Sequence, residues 1–208
     1  LPYNDPDNSF AVMAKAHNWV QYTLDLPMGN EPGTVFNYNS GATLVLGHIF
    51  RLATGIDIEE YAVENLFTPL GINDYYWDRT PYGLTDTQEG LYISARSLAK
   101  IAQLFLQKGR WQDEQVIPAA WVEESTAPLY STGKSDDEAY GYLWWSQPYT
   151  FKGKTVRAHF GKGFGGQRPI FLPDLNMVIV LTGWNILPGQ PFLHAMKAVE
   201  RVTAAVIE

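Results

Sequence analysis

The sequence contains no cysteine, so disulfide bonds and thiolate chemistry are both excluded, and the compartment stays undetermined. It also has no run of about 18 apolar residues, so no segment is predicted to span a membrane. There is no basic stripe, and the net charge is −7, which argues against a nucleic-acid partner. The histidines lack metal-ligand spacing and no His-Glu-Xaa-Xaa-His motif occurs, so neither a metal nor another cofactor is predicted.

The first residues, Leu1-Pro2-Tyr3-Asn4-Asp5, include neither a methionine nor a charged-then-apolar leader. We therefore expect that a segment is removed from the protein or that these residues belong to a longer one. A periplasmic, extracellular or cytoplasmic location is equally compatible with this sequence.

The composition is that of a globular protein with many aromatic side chains. Of the 208 residues, 46% are hydrophobic and 18% are charged, which is enough for one domain with a sizeable core. The 7 Trp, 12 Tyr and 10 Phe are typical of a large core or a large cleft.

Hydrophobic periodicity changes from helical to extended near Tyr140, which predicts an α+β fold. A mainly helical part, 1–139, precedes antiparallel strands and a covering C-terminal helix in 140–208, and the two together form one incomplete domain. The link 173–176 is short, so the last two strands pair antiparallel. The predicted helices are 9–24, 40–54, 58–66, 95–107, 118–125 and one from Pro191; the predicted strands are 141–146, 155–160, 167–172 and 177–181.

The stretch from Glu31 to Gly41 contains the first candidate site. Its Pro-Gly pair predicts a rigid turn, and Ser40 leads into an apolar helix, so Tyr38 is predicted just before a helix start. A tyrosine beside a cationic group can act as a general base, although an ordinary core tyrosine is the alternative. Ser40 is predicted to orient a substrate amide or to cap the helix.

This stretch resembles the second motif of the penicillin-recognising serine hydrolases. The matching residues are Pro32-Gly33-Thr34, Tyr38-Asn39-Ser40 and the Leu-rich helix ending in Ala-Thr-Gly, with Ser40 standing where Asn is usual. The nearest branch is the class C β-lactamase-like group, which includes esterases and D-aminopeptidases. The family uses Ser-Xaa-Xaa-Lys, Tyr-Xaa-Asn and Lys/His-Xaa-Gly motifs. The resemblance implies a helical subdomain, an antiparallel sheet with terminal helices, and a site between the two parts.

The residues His159-Phe160-Gly161 resemble the family's third motif, with His in place of Lys. The resemblance implies that His159 supports Tyr38 and the substrate, and that the backbone N–H of Lys162 supplies half of an oxyanion hole. Gly161 and Gly163 are expected to let a substrate approach the backbone closely. An ordinary strand histidine and a solvated lysine are the alternatives.

Two other site types can be set aside. Gly161, Gly163 and Gly166 match Gly-Xaa-Gly-Xaa-Xaa-Gly, but a dinucleotide fingerprint needs a helix directly afterwards, and Pro169 begins an extended run instead. No Gly-Xaa-Ser-Xaa-Gly elbow is present, which disfavours an α/β-hydrolase.

The nucleophile is not evident in these 208 residues. Ser97-Leu98-Ala99-Lys100 and Ser131-Thr132-Gly133-Lys134 both match Ser-Xaa-Xaa-Lys, but in the family this motif precedes the tyrosine motif. We therefore expect the nucleophile upstream of Leu1.

The resemblance implies a serine hydrolase that acts through an acyl-enzyme on small esters, amides, D-amino-acid peptides or β-lactams. The chain alone is expected to be inactive, and a non-catalytic module that binds a ligand or peptide is the alternative. The expected partner is a small molecule or short peptide. Because strands of the family's sheet would be missing, an open sheet edge predicts self-association or a companion N-terminal fragment.

Overall fold

A computed structural model describes residues 5–133, 137–184 and 195–205 of the chain. The chain divides into two compact units, Leu1–Ile93 and Ser94–Glu208. The predicted boundary between 139 and 140 divides the chain by type of secondary structure, whereas the two units are divided by compactness. The predicted boundary therefore stays a prediction.

The first unit begins with helices. Asn18 interrupts the predicted helix 9–24, because its side chain accepts the Gln21 N–H at 3.0 Å and so starts a new helix. Gly55 ends the third helix in a left-handed conformation with φ 77°, as its position predicts. The helices are α1 Ser9–Met13, α2 Trp19–Asp25, α3 Ser40–Thr54 and α4 Ile58–Ala62, and α4 continues as a π-helical turn, Val63–Phe67.

The core of the first unit joins its first three helices. Met13, Val20 and Leu44 are buried together. Helix α3 approaches α2 closely at Gly41, where a Cβ atom would lie 2.4 Å from Thr23 Oγ1. The lack of a side chain at position 41 therefore allows the two helices to pack in this way.

A carboxylate joins α4 to the loop that follows the first strand of this unit. Asp57 caps α4 by accepting the Glu59 N–H at 3.0 Å, and it also accepts hydrogen bonds from Arg79 at 2.9 Å and from the Thr85 hydroxyl. Burial alone would raise the pKa of Asp57, but the hydrogen bonds from Thr85 and Glu59 and the Arg79 charge lower it overall. The adjoining hairpin pairs β1 Tyr75–Trp77 with β2 Leu91–Ile93.

The elements of the second unit are α5 Ala95–Leu106, β3 Arg110–Trp111, β4 Glu114–Gln115, α6 Ala119–Thr126, β5 Tyr130–Ser131, β6 Ala139–Tyr140, β7 Trp145–Phe151, β8 Lys154–Phe160, β9 Arg168–Leu172, β10 Met177–Leu181 and α7 Ala195–Ala204. Six of the strands form an antiparallel sheet in the order β10-β9-β8-β7-β6-β5. The predicted strand 141–146 is wrong over 141–144, which form the turn between β6 and β7, where Leu143 has a φ of 68°. The residues Pro191 to His194 of the predicted last helix lie outside the described residues.

The sheet has a helix on each face. On one face Phe105 of α5 lies 6.0 Å from Phe171 of β9, measured between ring centroids. On the other face the Tyr149 hydroxyl of β7 hydrogen-bonds the Thr203 hydroxyl of α7 at 2.6 Å. The predicted α+β class, with an antiparallel sheet covered by the C-terminal helix, is confirmed.

Among the described helices, none is by itself long and apolar enough to cross a membrane. The consecutive segments Ser40–Thr54 and Ile58–Phe67 meet the length and composition requirements only when taken together, and they are bent by 83°.

Candidate active site

The predicted turn before Tyr38 is present in the first unit. Thr34 donates both its N–H, at 3.2 Å, and its hydroxyl, at 2.6 Å, to the carbonyl oxygen of Glu31, and Gly33 has a φ of 81°. Tyr38 follows in a segment without regular secondary structure and is 44% exposed. A tyrosine this close to water is accessible to a small molecule, as a general base must be.

Helix α3 is capped by Asn39 and not by Ser40. The Asn39 side chain accepts the Ala42 N–H at 3.3 Å, and Ser40 is the first residue of the helix. The backbone carbonyl of Ser40 accepts the Thr43 hydroxyl at 2.7 Å. Two roles were predicted for the Ser40 hydroxyl, and one of them, capping the helix, is performed by Asn39 instead.

His159 lies near the end of β8, and its ring is enclosed. It stacks on Phe171 with ring centroids 4.9 Å apart and an interplanar angle of 15°, and the residue is 9% exposed. Burial and the Arg157 charge lower its pKa, the Asp174 charge opposes them, and the resulting pKa is about 4. Its Nδ1 atom is buried without a hydrogen-bond partner among the described residues. The imidazole is therefore neutral at pH 7, in contrast to the lysine it replaces in the motif.

The Lys162 side chain is held in an ion pair, whereas the alternative given above for this residue was a solvated charge. Its Nζ lies 2.6 Å from Oε2 of Glu138 and 3.8 Å from the ring centroid of Trp145. The Glu138 side chain is only 7% exposed and also accepts the Thr132 hydroxyl at 2.9 Å. The side chain of Lys162 therefore has a structural role, whereas the prediction for this residue concerns its backbone N–H.

The segment 161–167, which we call the glycine loop, continues from β8 and turns back into β9. The Gly161 N–H donates to the Pro169 carbonyl at 3.0 Å, and the Gly163 N–H donates to the Gln167 carbonyl at 2.9 Å. A Cβ atom at position 163 would lie 2.7 Å from the Gln167 Cβ. The close packing of this loop therefore depends on glycine at position 163.

Two residues that the sequence analysis did not single out hold this loop. Arg168 is 6% exposed, and its guanidinium donates to the carbonyl oxygens of Gly163 at 2.8 Å and Gln167 at 2.9 Å. The Gln167 amide donates to the Gly183 carbonyl and accepts the Gly183 N–H at 3.4 Å. The available signal was a Gln-Arg pair directly after a glycine-rich run, because such a loop needs donors to fix its carbonyl groups.

The first Ser-Xaa-Xaa-Lys match does not have the surroundings of a nucleophile. Ser97 is 8% exposed and lies in the first turn of α5, where its N–H donates to the Ser94 Oγ at 3.1 Å and its Oγ accepts the Ser94 hydroxyl at 3.0 Å. This is a helix-capping arrangement. Ser131 lies in β5, and Lys134 is outside the described residues.

The predicted site residues fall into two groups. Tyr38 and Ser40 belong to the first unit, at the start of α3. His159, Gly161, Lys162 and Gly163 belong to the second unit, at the end of β8 and in the glycine loop. Across the described ranges, no three His, Asp or Glu side chains are grouped in a way that could hold a metal ion.

Comparison with known proteins gives the family and the fold. The chain resembles the "Putative 6-aminohexanoate-dimer hydrolase from Bacillus anthracis" with 23% identity and a TM-score of 0.72, over 97% of this chain and 48% of that one. It resembles a penicillin-binding protein from Bacillus halodurans with 18% identity and a TM-score of 0.64, over 90% and 62% of the two chains. At these identities the likeness is one of fold.

The chain thus spans about half the length of the Bacillus anthracis protein. It also resembles an octameric penicillin-binding protein homologue from Pyrococcus abyssi, with 23% identity and a TM-score of 0.55, over 70% of this chain and 37% of that one. No curated protein sequence matches the chain. The sequence model of the family described as Beta-lactamase matches residues 1–196. This chain therefore belongs to the β-lactamase family.

Proposed function

We propose that the chain is part of a serine hydrolase that acts through an acyl-enzyme on small esters or amides, including D-amino-acid peptides and β-lactams. The nucleophilic serine would come from a segment outside these 208 residues. The observation that carries the proposal is the glycine loop at the end of a central strand, which Arg168 and Gln167 hold in place. Preorganised backbone donors of this kind stabilise the oxyanion of an acyl-transfer transition state.

In the proposed reaction the serine oxygen bonds to the substrate carbonyl carbon while the hydroxyl proton passes to a base. Tyr38, which is exposed just before α3, would be that base once deprotonated, as the family motif implies. The alcohol or amine then leaves with the proton, and an acyl-serine remains. A water molecule then attacks the acyl carbon and gives its proton to the base. The bond between that carbon and the serine oxygen breaks, the base returns the proton to the serine oxygen, and the carboxylic acid is released.

The oxyanion would be held by backbone N–H groups of the glycine loop. Lys162 N–H is the donor that the motif implies. The Phe164 N–H is a second candidate, because the carbonyl of the same peptide, on Gly163, accepts the Arg168 guanidinium. In a trans peptide the C=O and N–H point in opposite directions, so this N–H is directed away from Arg168.

His159 enters this proposal as a neutral ring. Its enclosure by Phe171 and its pKa of about 4 remove the positive charge that a lysine would carry at the same motif position. Any contribution of His159 to the site would therefore come from a neutral ring and not from a positive charge.

The proposal is tested by treating the product of the complete gene with a fluorophosphonate probe and mapping the adduct. We expect one labelled serine in a Ser-Xaa-Xaa-Lys sequence outside the 208 residues. Tyr38→Phe should slow labelling by about 10²-fold or more, which is the usual contribution of a general base. An adduct on Ser97, or equal labelling of the Tyr38→Phe variant, would contradict the proposal.

A non-catalytic binding protein of the same fold is the second candidate. It is favoured by the capping role of Ser97, which leaves this match unavailable as a nucleophile. Absence of any fluorophosphonate adduct on the complete protein, together with saturable binding of a small amide, would support this alternative.

We also propose that α3 is covered by a companion segment or by a second copy of the chain. Leu46, Ile49 and Leu52 on this helix are 56%, 53% and 72% exposed. Apolar side chains grouped on one helix usually mark an interface. Light scattering on the purified 208-residue chain should show a species larger than a monomer, and a stable monomer at high concentration would count against this proposal.

A further inference from the structure

We infer that Phe164 and Trp184 line an apolar subsite on the glycine loop, and that this subsite selects uncharged substrates with an aromatic or bulky apolar group. The inference rests on the proposed function, since it names the substrate class of the same site. It would favour apolar esters and amides over carboxylate-bearing β-lactams and D-peptides.

The two aromatic residues are brought to the same loop by backbone contacts. Both are 66% exposed, which is unusual for side chains of this size. Phe164 belongs to the loop, and Trp184 follows Gly183, where a Cβ atom would lie 3.1 Å from the Gly165 carbonyl oxygen. The short segments that carry the two rings are therefore in contact.

Gln167 fixes the positions of both segments. Its amide donates to the Phe164 carbonyl at 3.4 Å and to the Gly183 carbonyl, and it accepts the Gly183 N–H at 3.4 Å. One side chain thus connects the backbone on which each ring is mounted. We assign Gln167 the role of a positioning residue, because it acts through the two rings and not on the substrate.

Among the described residues, three cationic side chains near the loop already have partners, which bears on the charge of the ligand. Lys162 is paired with Glu138, and the Arg168 guanidinium donates to two loop carbonyls. Arg157 lies four residues before Gly161, about 13 Å back along an extended strand, and donates to Ser146 at 3.2 Å. A substrate carboxylate held against the two rings would lose part of its hydration, whereas an uncharged group would lose less.

The test uses three small probes and the purified 208-residue chain, so it does not need catalysis. 3-Phenylpropionamide carries an uncharged ring, 3-phenylpropionate carries the same ring with a carboxylate, and propionamide has no ring. Binding is measured by saturation-transfer NMR and calorimetry. We expect the phenyl amide to bind at least about tenfold more tightly than either other probe, a difference that a stacked ring supplies.

Variants identify the residues responsible. Phe164→Ala and Trp184→Ala should each weaken binding of the phenyl amide by about tenfold. Trp121→Ala is the matched control, since Trp121 is 43% exposed in the same unit and should leave binding unchanged. Gln167→Met keeps the side-chain length but loses the amide group. It should therefore weaken binding of the phenyl amide and leave the circular dichroism spectrum unchanged.

Each outcome decides between the claims. Equal binding of the phenyl amide and the phenyl carboxylate, or equal losses in the Trp184 and Trp121 variants, would overturn the subsite. A Gln167 variant with unchanged binding would overturn its positioning role. If the probes behave as expected but no serine is labelled in the complete protein, the subsite stands and the proposed hydrolase function fails. If a serine is labelled but the phenyl amide does not bind more tightly than the other probes, the proposed hydrolase function stands and the subsite fails.

Discussion

The protonation of His159 gives the sharpest prediction, because it concerns the first residue of the third motif. Its pKa of about 4 lies about 2.5 below the ordinary value of 6.5. One pH unit corresponds to about 1.36 kcal/mol, so protonating this ring in the folded protein costs about 3 kcal/mol. The folded pKa is depressed, so the unfolded chain takes up the proton first. The free energy of unfolding should therefore fall by up to about 3 kcal/mol as the pH falls from 6.5 through 4.

The variant His159→Phe removes the titrating group and keeps a ring to stack on Phe171. Because Nδ1 has no hydrogen-bond partner in the described structure, its loss should cost little, and at pH 7 the variant should match the wild type within about 1 kcal/mol. Below pH 6.5 the wild type should lose stability relative to the variant. Urea unfolding between pH 7 and 4, with NMR titration of the imidazole, measures both effects. Parallel stability profiles, or an imidazole that titrates near 6.5, would refute this account of the ring.

Three further variants test the supports of the site. Glu138→Gln should lower the free energy of unfolding by about 1.5–3 kcal/mol in urea at pH 7, because it removes the charge that pairs with Lys162; an unchanged midpoint would argue against the ion pair. Gly163→Ala should cost about 1–3 kcal/mol, since its Cβ would lie 2.7 Å from the Gln167 Cβ, and hydrogen exchange should rise in the loop and not elsewhere. Asp57→Asn should lower the thermal midpoint at neutral pH, and the difference from wild type should vanish as the pH falls through the lowered pKa; a difference that persists at low pH would contradict this.

The sequence predicted those elements whose signals are local. The strand Met177–Leu181 and the helix Ser40–Thr54 have the predicted bounds. Their own residues carry the whole signal: an extended apolar run in the strand, and helical spacing of apolar residues with an end signal in the helix. The helix predicted over 9–24 breaks at Asn18, whose side chain competes as a cap within an otherwise helical pattern. Aromatic residues at 142–145 resemble a strand, yet Leu143 adopts a positive φ in a turn. The secondary structure of such a short apolar run is determined by its tertiary contacts and not by its periodicity alone.

The site was predicted in part for the same reason. The glycine run and the tyrosine turn are local patterns, but the partners that define their chemistry come from elsewhere in the chain: Glu138 for Lys162 and Gly183 for Gln167. A lysine three residues after a strand histidine gives no sign that a distant carboxylate neutralises it. Charge at the site is therefore the property that the sequence could not supply.

Alternation along β8 explains why His159 differs from the cationic residue that the motif implies. His159 lies opposite Phe171 in the strand pairing, on the sheet face that α5 covers, so its ring is stacked and enclosed. The next position on that face is Gly161, which has no side chain, and Lys162 lies on the opposite face above Trp145. The motif position on this strand thus carries a neutral, stacked ring in place of a cation. The substrate preference proposed above depends on this neutrality, because a carboxylate beside this ring would lose hydration without gaining a counter-ion from it.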